Sequence, residues 1–450
     1  MPPEKTSRRT VLGEVLALAI LAGPLVVNNL SIAGMHFADA VMAGRIGTRD
    51  LAAVAVGGGV WTVAFLFGLG VLMAISPVCA QAYGAGRNRA VGGYLRQGLW
   101  LSQGLAVIVV LLVWNSEPVL RWAGIDADLV PLTMGYLRAI VFGVPPMYAY
   151  LALRFMSEGI GWTRPIMVAA VVALVVNVTG NWVLMYGKLG FPALGAVGCG
   201  AASALAMTSM LVVMVIYVRR NRRYRPFRLG GFEKPDPRAI REILAVGLPI
   251  GGSVVAEAGL FSAASLLMGR LGATQVAAHQ IAINYAATMF MVPLAIHSAI
   301  TIRVGHSVGA GRPALARHQG LVGIIVCGLF MTVSALLLLM FREPITALYT
   351  RDPAVRAVAF SLLTMAMVFQ ISDGLQVGAA GALRGFKDTR VPMLLNIVAY
   401  WLLAFPLAWY LGVHREIGPQ GVWVALVVGL TAGAVLLNAR FWVISRPRPA

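Results

Sequence analysis

Apolar stretches of about 20 residues, each interrupted by short polar segments, recur along the whole chain. They cover roughly 13–35, 52–76, 94–114, 130–151, 166–186, 194–217, 241–266, 277–301, 319–340, 355–377, 391–411 and 418–440. A helix of this length crosses about 30 Å of hydrocarbon, so the pattern predicts twelve transmembrane helices. The expected fold class is therefore all-α.

The two halves repeat each other. Met42-Ala-Gly-Arg-Ile-Gly47 returns as Leu267-Met-Gly-Arg-Leu-Gly272, Gly84-Ala-Gly-Arg87 as Gly309-Ala-Gly-Arg312, and Pro24 as Pro249, all at a spacing of 225 residues. Six spans fall in each half. An even number returns the chain to its starting side, so the repeats are parallel, related by a pseudo-twofold axis along the membrane normal. The expected organisation is an N-terminal six-helix bundle over 1–218, a basic linker over 219–238 and a C-terminal six-helix bundle over 239–450.

Composition supports this and adds orientation. The chain has 59% hydrophobic and 12% charged residues, which excludes a water-soluble globule. Its net charge of +19 could indicate a nucleic-acid partner, but the distribution argues otherwise. With both termini in the cytoplasm, Lys5, Arg8, Arg9, Arg448, the Arg87/Arg89 turn and the linker arginines from Arg219 to Arg238 all lie inside. This is the positive-inside asymmetry of an inner-membrane protein, with anionic lipid as the secondary role of the linker and no role for nucleic acid. The basic N-terminus runs into an apolar stretch too long for a secretory h-region, and is read as leading into the first span.

Acids inside apolar spans are costly, by roughly 2.5–3.5 kcal/mol each on insertion scales, and mark function. Most of the 17 acids, Glu14 and Glu158 among them, are assigned to loops or span ends. Asp39, Glu257 and Asp373 remain. With no matched buried cation, these three must be protonated or compensated by an external cation, which is the logic of an ion-coupled carrier using Na⁺ or H⁺. Asn177 and Asn181 share one face of the fifth span and are placed to join Asp39, the alternative being plain interhelical hydrogen bonds. Gln280 and Asn284 repeat the spacing in the eighth span beside His279, which is read as a hydrogen-bonded structural histidine.

Other features carry less. Cys79, Cys199 and Cys327 are isolated and read as packing residues. The Gly-Ala-Gly-Arg motifs lack the context of a phosphate loop and read as tight turns. Met289 and Met291 are assigned to ordinary helix packing. Nothing resembles an ATPase, so transport energy is assigned to an ion gradient.

Phe37-Ala-Asp-Ala-Val-Met-Ala-Gly44, Asn177-Val-Thr-Gly-Asn-Trp182, Ala277-Ala-His-Gln-Ile-Ala-Ile-Asn284, Ile302-Arg-Val-Gly-His306 and Leu383-Arg-Gly385, with Pro24, Glu257 and Asp373, resemble the multidrug and toxic compound extrusion (MATE) family in its NorM-type branch. The resemblance covers nearly the whole chain. It implies two six-helix lobes around a central cavity and export of amphipathic cations by rocking. It also implies an N-lobe polar cluster at Asp39, Asn177 and Asn181, a C-lobe cation site for Na⁺ at Glu257 and Asp373, and Gln280 in the substrate cavity. Phe369, one turn before Asp373, stands where some relatives carry a tyrosine.

The expected function is therefore ion-driven efflux of organic cations by a monomeric, non-enzymatic carrier. One rival is a lipid-precursor flippase, which would need deep cationic residues where this chain has acids. The other is a membrane enzyme, which would need a clustered catalytic constellation where the six histidines are scattered.

Overall fold

The computed structural model describes residues 11–446 except position 232; Lys5, Arg8, Arg9 and Arg448 lie outside the described residues. Among the described residues, twelve helices are long and apolar enough to cross a membrane, matching the expected number. They are α1 (Val11–Ile46), α2 (Thr48–Gly84), α3 (Asn88–Trp114), α4 (Val130–Gly159), α5 (Arg164–Leu184), α6 (Gly195–Arg220), α7 (Pro237–Leu271), α8 (Ala273–Gly309), α9 (Pro313–Tyr349), α10 (Pro353–Gly385), α11 (Arg390–His414) and α12 (Pro419–Ile444). No strand occurs among the described residues. Several helices are much longer than the apolar runs inside them. The 37 residues of α2, α8 and α9 correspond to about 55 Å, well beyond the hydrocarbon thickness, because a helix continues until a backbone signal stops it.

For α2 and α8 the stops are the repeated Gly-Ala-Gly-Arg motifs. At the end of α2 the Arg87 amide donates to the Ala82 carbonyl and the Gly86 amide to that of Tyr83, both at 2.9 Å; at the end of α8 the Arg312 and Gly311 amides repeat this to Ser307 and Val308. Both pairs are Schellman caps, with Gly86 and Gly311 at φ 72° and 69° in the left-handed region that glycine tolerates best.

The chain packs as two compact units. One is Pro24–Val255; the other joins the chain up to Gly23 to Ala256–Ala450. The sequence repeats and the packing units are thus cut at different places. Within the first unit, the start of α7 belongs with α2 because Gly247 and Gly251, one turn apart, face its Phe67–Val71 stretch. A Cβ on Gly70 would lie 2.5 Å from the Gly251 Cα, so only glycine permits this approach. Within the second unit, the start of α1 is held by Arg303 of α8, whose Nε and Nη2 donate to Glu14 Oε1 and Oε2 at 2.7 and 2.6 Å. Glu14 is completely buried, as is Glu158, which pairs with Arg154 at 2.8 Å. Both acids stand at span ends, as assigned, but are shielded there: Glu14 pairs with a partly buried arginine far away in sequence and Glu158 with one a turn before it.

Each unit has its own apolar core, centred on Tyr148, Tyr150 and Leu151 in the first and on Leu362, Leu363 and Trp423 in the second. In α11, Pro406 lacks an amide proton, and π-helical turns lie on either side of it, over Val398–Ala404 and Tyr410–His414.

Candidate functional site

Asp39 lies on α1, two turns before the helix ends, and is almost fully buried. The Asn181 and Asn177 amides donate to its Oδ1 at 2.6 and 3.1 Å, and the Ser203 hydroxyl to its Oδ2 at 3.4 Å. Asn177 and Asn181 meet each other at 3.4 Å, as their spacing on α5 predicts. The Cys199 thiol, one turn before Ser203 on α6, also hydrogen-bonds Asp39, which corrects its reading as a plain packing residue. Gly180 allows this assembly: a Cβ there already sits 3.0 Å from Ala202 on α6, so α5 and α6 pack closely behind the cluster. Neutral donors alone hold this carboxylate, and no ion pair to Asp39 occurs among the described residues.

The second unit contains the other two acids. Asp373 is buried in the middle of α10, and Glu257 is half-buried on α7, close enough for the two to interact electrostatically. Arg384 interacts electrostatically with Glu257 from the end of α10. Among the described residues, no hydrogen bond or ion pair is donated to Asp373. Beside it, the Ser372 and Thr431 hydroxyls bond at 2.8 Å, and Gln376, one turn on, donates to the Tyr400 hydroxyl. Tyr400 interacts electrostatically with both Glu257 and Asp373. Gln376 follows Asp373 at helical spacing and was legible as a neighbour. Tyr400 was not, because the π-helical turn it sits in changes the phase of α11.

Phe369 is buried in an aromatic group with Phe261 and Trp423, at centroid distances of 6.0 and 5.7 Å. It forms apolar wall next to the acids. His279 is fully buried as well. Its Nδ1 accepts from the Trp423 indole at 3.2 Å, which leaves the Nε2 proton to face the Ser265 hydroxyl at 3.1 Å, the arrangement of a structural histidine. Gln280 and Asn284 join neither acid cluster. With Thr288 they form an exposed polar row, one residue per turn of α8, while His279 and Ile281 on the other faces are buried. A polar row inside an apolar span belongs against water and not against lipid.

For metal binding, no group of three or more His, Cys, Asp or Glu side chains occurs among the described residues. A hard cation at Glu257 and Asp373 would depend on two carboxylates completed by hydroxyl, carbonyl or water oxygens.

Twelve membrane-length helices, halves that repeat in parallel and a buried acid cluster in each unit define an integral membrane carrier. The chain belongs to the MatE family, which it matches over residues 24–183 and 249–410, two segments whose starts are 225 residues apart. It is 42% identical over 433 residues to the multidrug resistance protein PmpM of Pseudomonas aeruginosa, covering 95% of this chain and 91% of that one. It is 43% identical over 434 residues to the probable multidrug resistance protein NorM of Xanthomonas campestris pv. campestris, covering 96% and 95%. The fold is similar to that of the eukaryotic MATE transporter AtDTX14, with a TM-score of 0.87 at 20% identity over 97% of both chains. A MATE structure in complex with MaD3S gives a TM-score of 0.88 at 19% identity, covering 98% and 99%. The family resemblance drawn from the sequence motifs is borne out.

Proposed function

We propose that this protein is a secondary active multidrug exporter that expels amphipathic organic cations in exchange for Na⁺ or H⁺. The observation that carries this reading is Asp373, an acid buried at mid-helix in an apolar bundle with no donated hydrogen bond or ion pair among the described residues, next to Glu257. A carboxylate in such a place is stable only with a proton or a cation on it. Asp39 complements it: its amide, hydroxyl and thiol partners bring no positive charge, which leaves the acid open to a cation. Coupling ion and cationic drug compete for the same acids, and competition between two states open to opposite sides produces antiport.

In this reading Asn177 and Asn181 orient Asp39, Gln280 and Asn284 give the drug polar contacts, and Phe369 contributes apolar wall. Na⁺, where it is the coupling ion, sits at Glu257 and Asp373. The repeat lobes 1–218 and 239–450, joined by the linker 219–238, move relative to one another. The protein works as a monomer in the bacterial inner membrane, with both termini in the cytoplasm, and catalyses no covalent reaction. The names of the similar proteins PmpM and NorM support the drug class.

The test is transport of a fluorescent organic cation in proteoliposomes under separately imposed Na⁺ and proton gradients. One gradient is expected to drive transport, and Asp39→Asn and Asp373→Asn to abolish it. Full gradient-driven transport by both variants would refute the assignment.

A further inference from the structure

The α2–α3 turn and the linker that follows α6 border an open surface cavity of about 600 Å³, a size suited to a small-molecule headgroup. Gly86, Asn88 and four arginines line it: Arg87 and Arg89 from the turn, Arg225 and Arg228 from the linker. No acidic side chain is among the lining residues, and none of the four arginines makes an ion pair among the described residues. The first turn of α3, which opens here, also has no acidic residue and no side-chain cap, so the positive end of the helix dipole adds to the same field.

The walls are built and not merely draped. Residues Arg222–Phe227 form a short 3₁₀ helix whose Tyr224 and Phe227 are buried. The Tyr224 hydroxyl bonds the Ser157 hydroxyl, and burial pushes its phenol up to about 12, so it stays neutral beside the arginines. Phe227 packs on Tyr83 at 6.0 Å between ring centroids, and its carbonyl lies so close to Gly92 of α3 that no Cβ could stand there. Arg228 has φ 49°, a left-handed conformation costly for a residue with a Cβ, and its carbonyl accepts from Arg96 Nη1 at 2.8 Å. Arg96 in turn is held by Glu233. By contrast the neighbouring Arg223 is engaged over the Trp162 ring at 4.1 Å. The fold therefore fixes a backbone that brings four guanidinium groups around one space at the cost of their mutual repulsion.

The duplication did not carry the whole arginine set into the second turn. The second turn keeps Arg312, but Pro313 and Ala314 follow it where Asn88 and Arg89 follow Arg87. Turn geometry, which both halves share, thus explains Gly86 and leaves Arg89 unexplained.

We propose that this cavity binds a phosphoryl anion, supplied by a phospholipid headgroup of the facing leaflet or by a soluble phosphate. Guanidinium forks match phosphate oxygens in pairs, and four of them compensate a charge that lysines would hold with less directionality. The proposal is independent of the drug and of the coupling ion.

The test uses the full-length protein in detergent, titrated with dioctanoyl phosphatidylglycerol, dioctanoyl phosphatidylcholine and inorganic phosphate, with bound ligand counted by native mass spectrometry. Phosphatidylglycerol or phosphate is expected to bind at least tenfold more tightly than phosphatidylcholine. The R89A/R225A variant is expected to lose that preference, while R219A/R220A, which removes the same charge at the exposed end of α6, stays within twofold of wild type. Competition by inorganic phosphate would identify a soluble occupant, and its failure to compete a lipid one. Equal binding by R89A/R225A and wild type, or equal losses in the two variants, would overturn the proposal. R89Q/R225Q carries the same comparison if the alanine variant does not fold.

Discussion

Glu14 and Arg303, 289 residues apart, meet in a two-pronged ion pair in which the carboxylate is completely buried. The Gln319 side chain of α9 lies against the same pair and is bonded in turn to the Ser307 hydroxyl. This pair anchors the start of α1 among α8 and α9. Glu14→Ala strands Arg303 in a partly buried position and is expected to destabilise the protein by about 3–5 kcal/mol. Glu117→Ala removes only the exposed one-turn pair with Arg121 and is expected to cost under about 0.5 kcal/mol. Thermal unfolding of both variants in one detergent checks the contrast, and similar melting temperatures would contradict it.

Asn181 gives Asp39 its shortest contact. Asn181→Ala removes a hydrogen bond to a buried acid, worth about 0.5–3 kcal/mol, and is expected to impair efflux more than Asn177→Ala, whose contact is 0.5 Å longer. Drug susceptibility of expressing cells, normalised to membrane protein level, ranks the two. Wild-type resistance in Asn181→Ala would remove this cluster from the transport cycle.

Gly70 and Gly93 sit on adjacent helices and make opposite predictions. An added methyl at Gly70 meets the α7 backbone at Gly251, whereas nothing lies within 4 Å of one at Gly93. Gly70→Ala is expected to destabilise by about 1–3 kcal/mol through overpacking. Gly93→Ala is expected to be neutral or to stabilise by up to about 1 kcal/mol through helix propensity. Melting temperatures of the two variants decide.

Tyr400→Phe takes from Gln376 its hydroxyl partner, and the Gln376 Oε1 is already unpartnered and buried. A stability loss of about 1–3 kcal/mol is expected. If Tyr400 also serves the acids it faces, the concentration of Na⁺ or H⁺ giving half-maximal transport shifts, a change that lost packing alone does not produce. An unaltered half-maximal concentration would confine Tyr400 to a structural role.

The legible part of the site was the part with helical periodicity. Asn177 and Asn181 share a face by spacing alone, and Asp39, Glu257 and Asp373 stand out because so few acids occupy apolar runs. Cys199 and Ser203, also one turn apart, carried the same signal at lower contrast, since small polar residues are common in membrane helices. Tyr400 carried none: its position depends on a π-helical turn beside Pro406, and hydropathy does not register a change of helical phase.

By itself, the sequence determined the number of spans, the duplication and the parallel relation of its halves, because an apolar run of fixed length and an even count leave a chain in hydrocarbon few alternatives. It also set the turns, through glycines able to adopt positive φ at Gly86 and Gly311. Only the tertiary structure decided which surfaces meet. Glu14 and Glu158 are ordinary span-end acids until Arg303 and Arg154 neutralise them, and α1 and α7 are single helices in sequence but each contributes to two packing units. The physical reason is range. Hydrophobic burial acts on every residue according to its own type, whereas an ion pair, a glycine contact or a four-arginine cavity exists only once distant segments have been brought within a few ångströms.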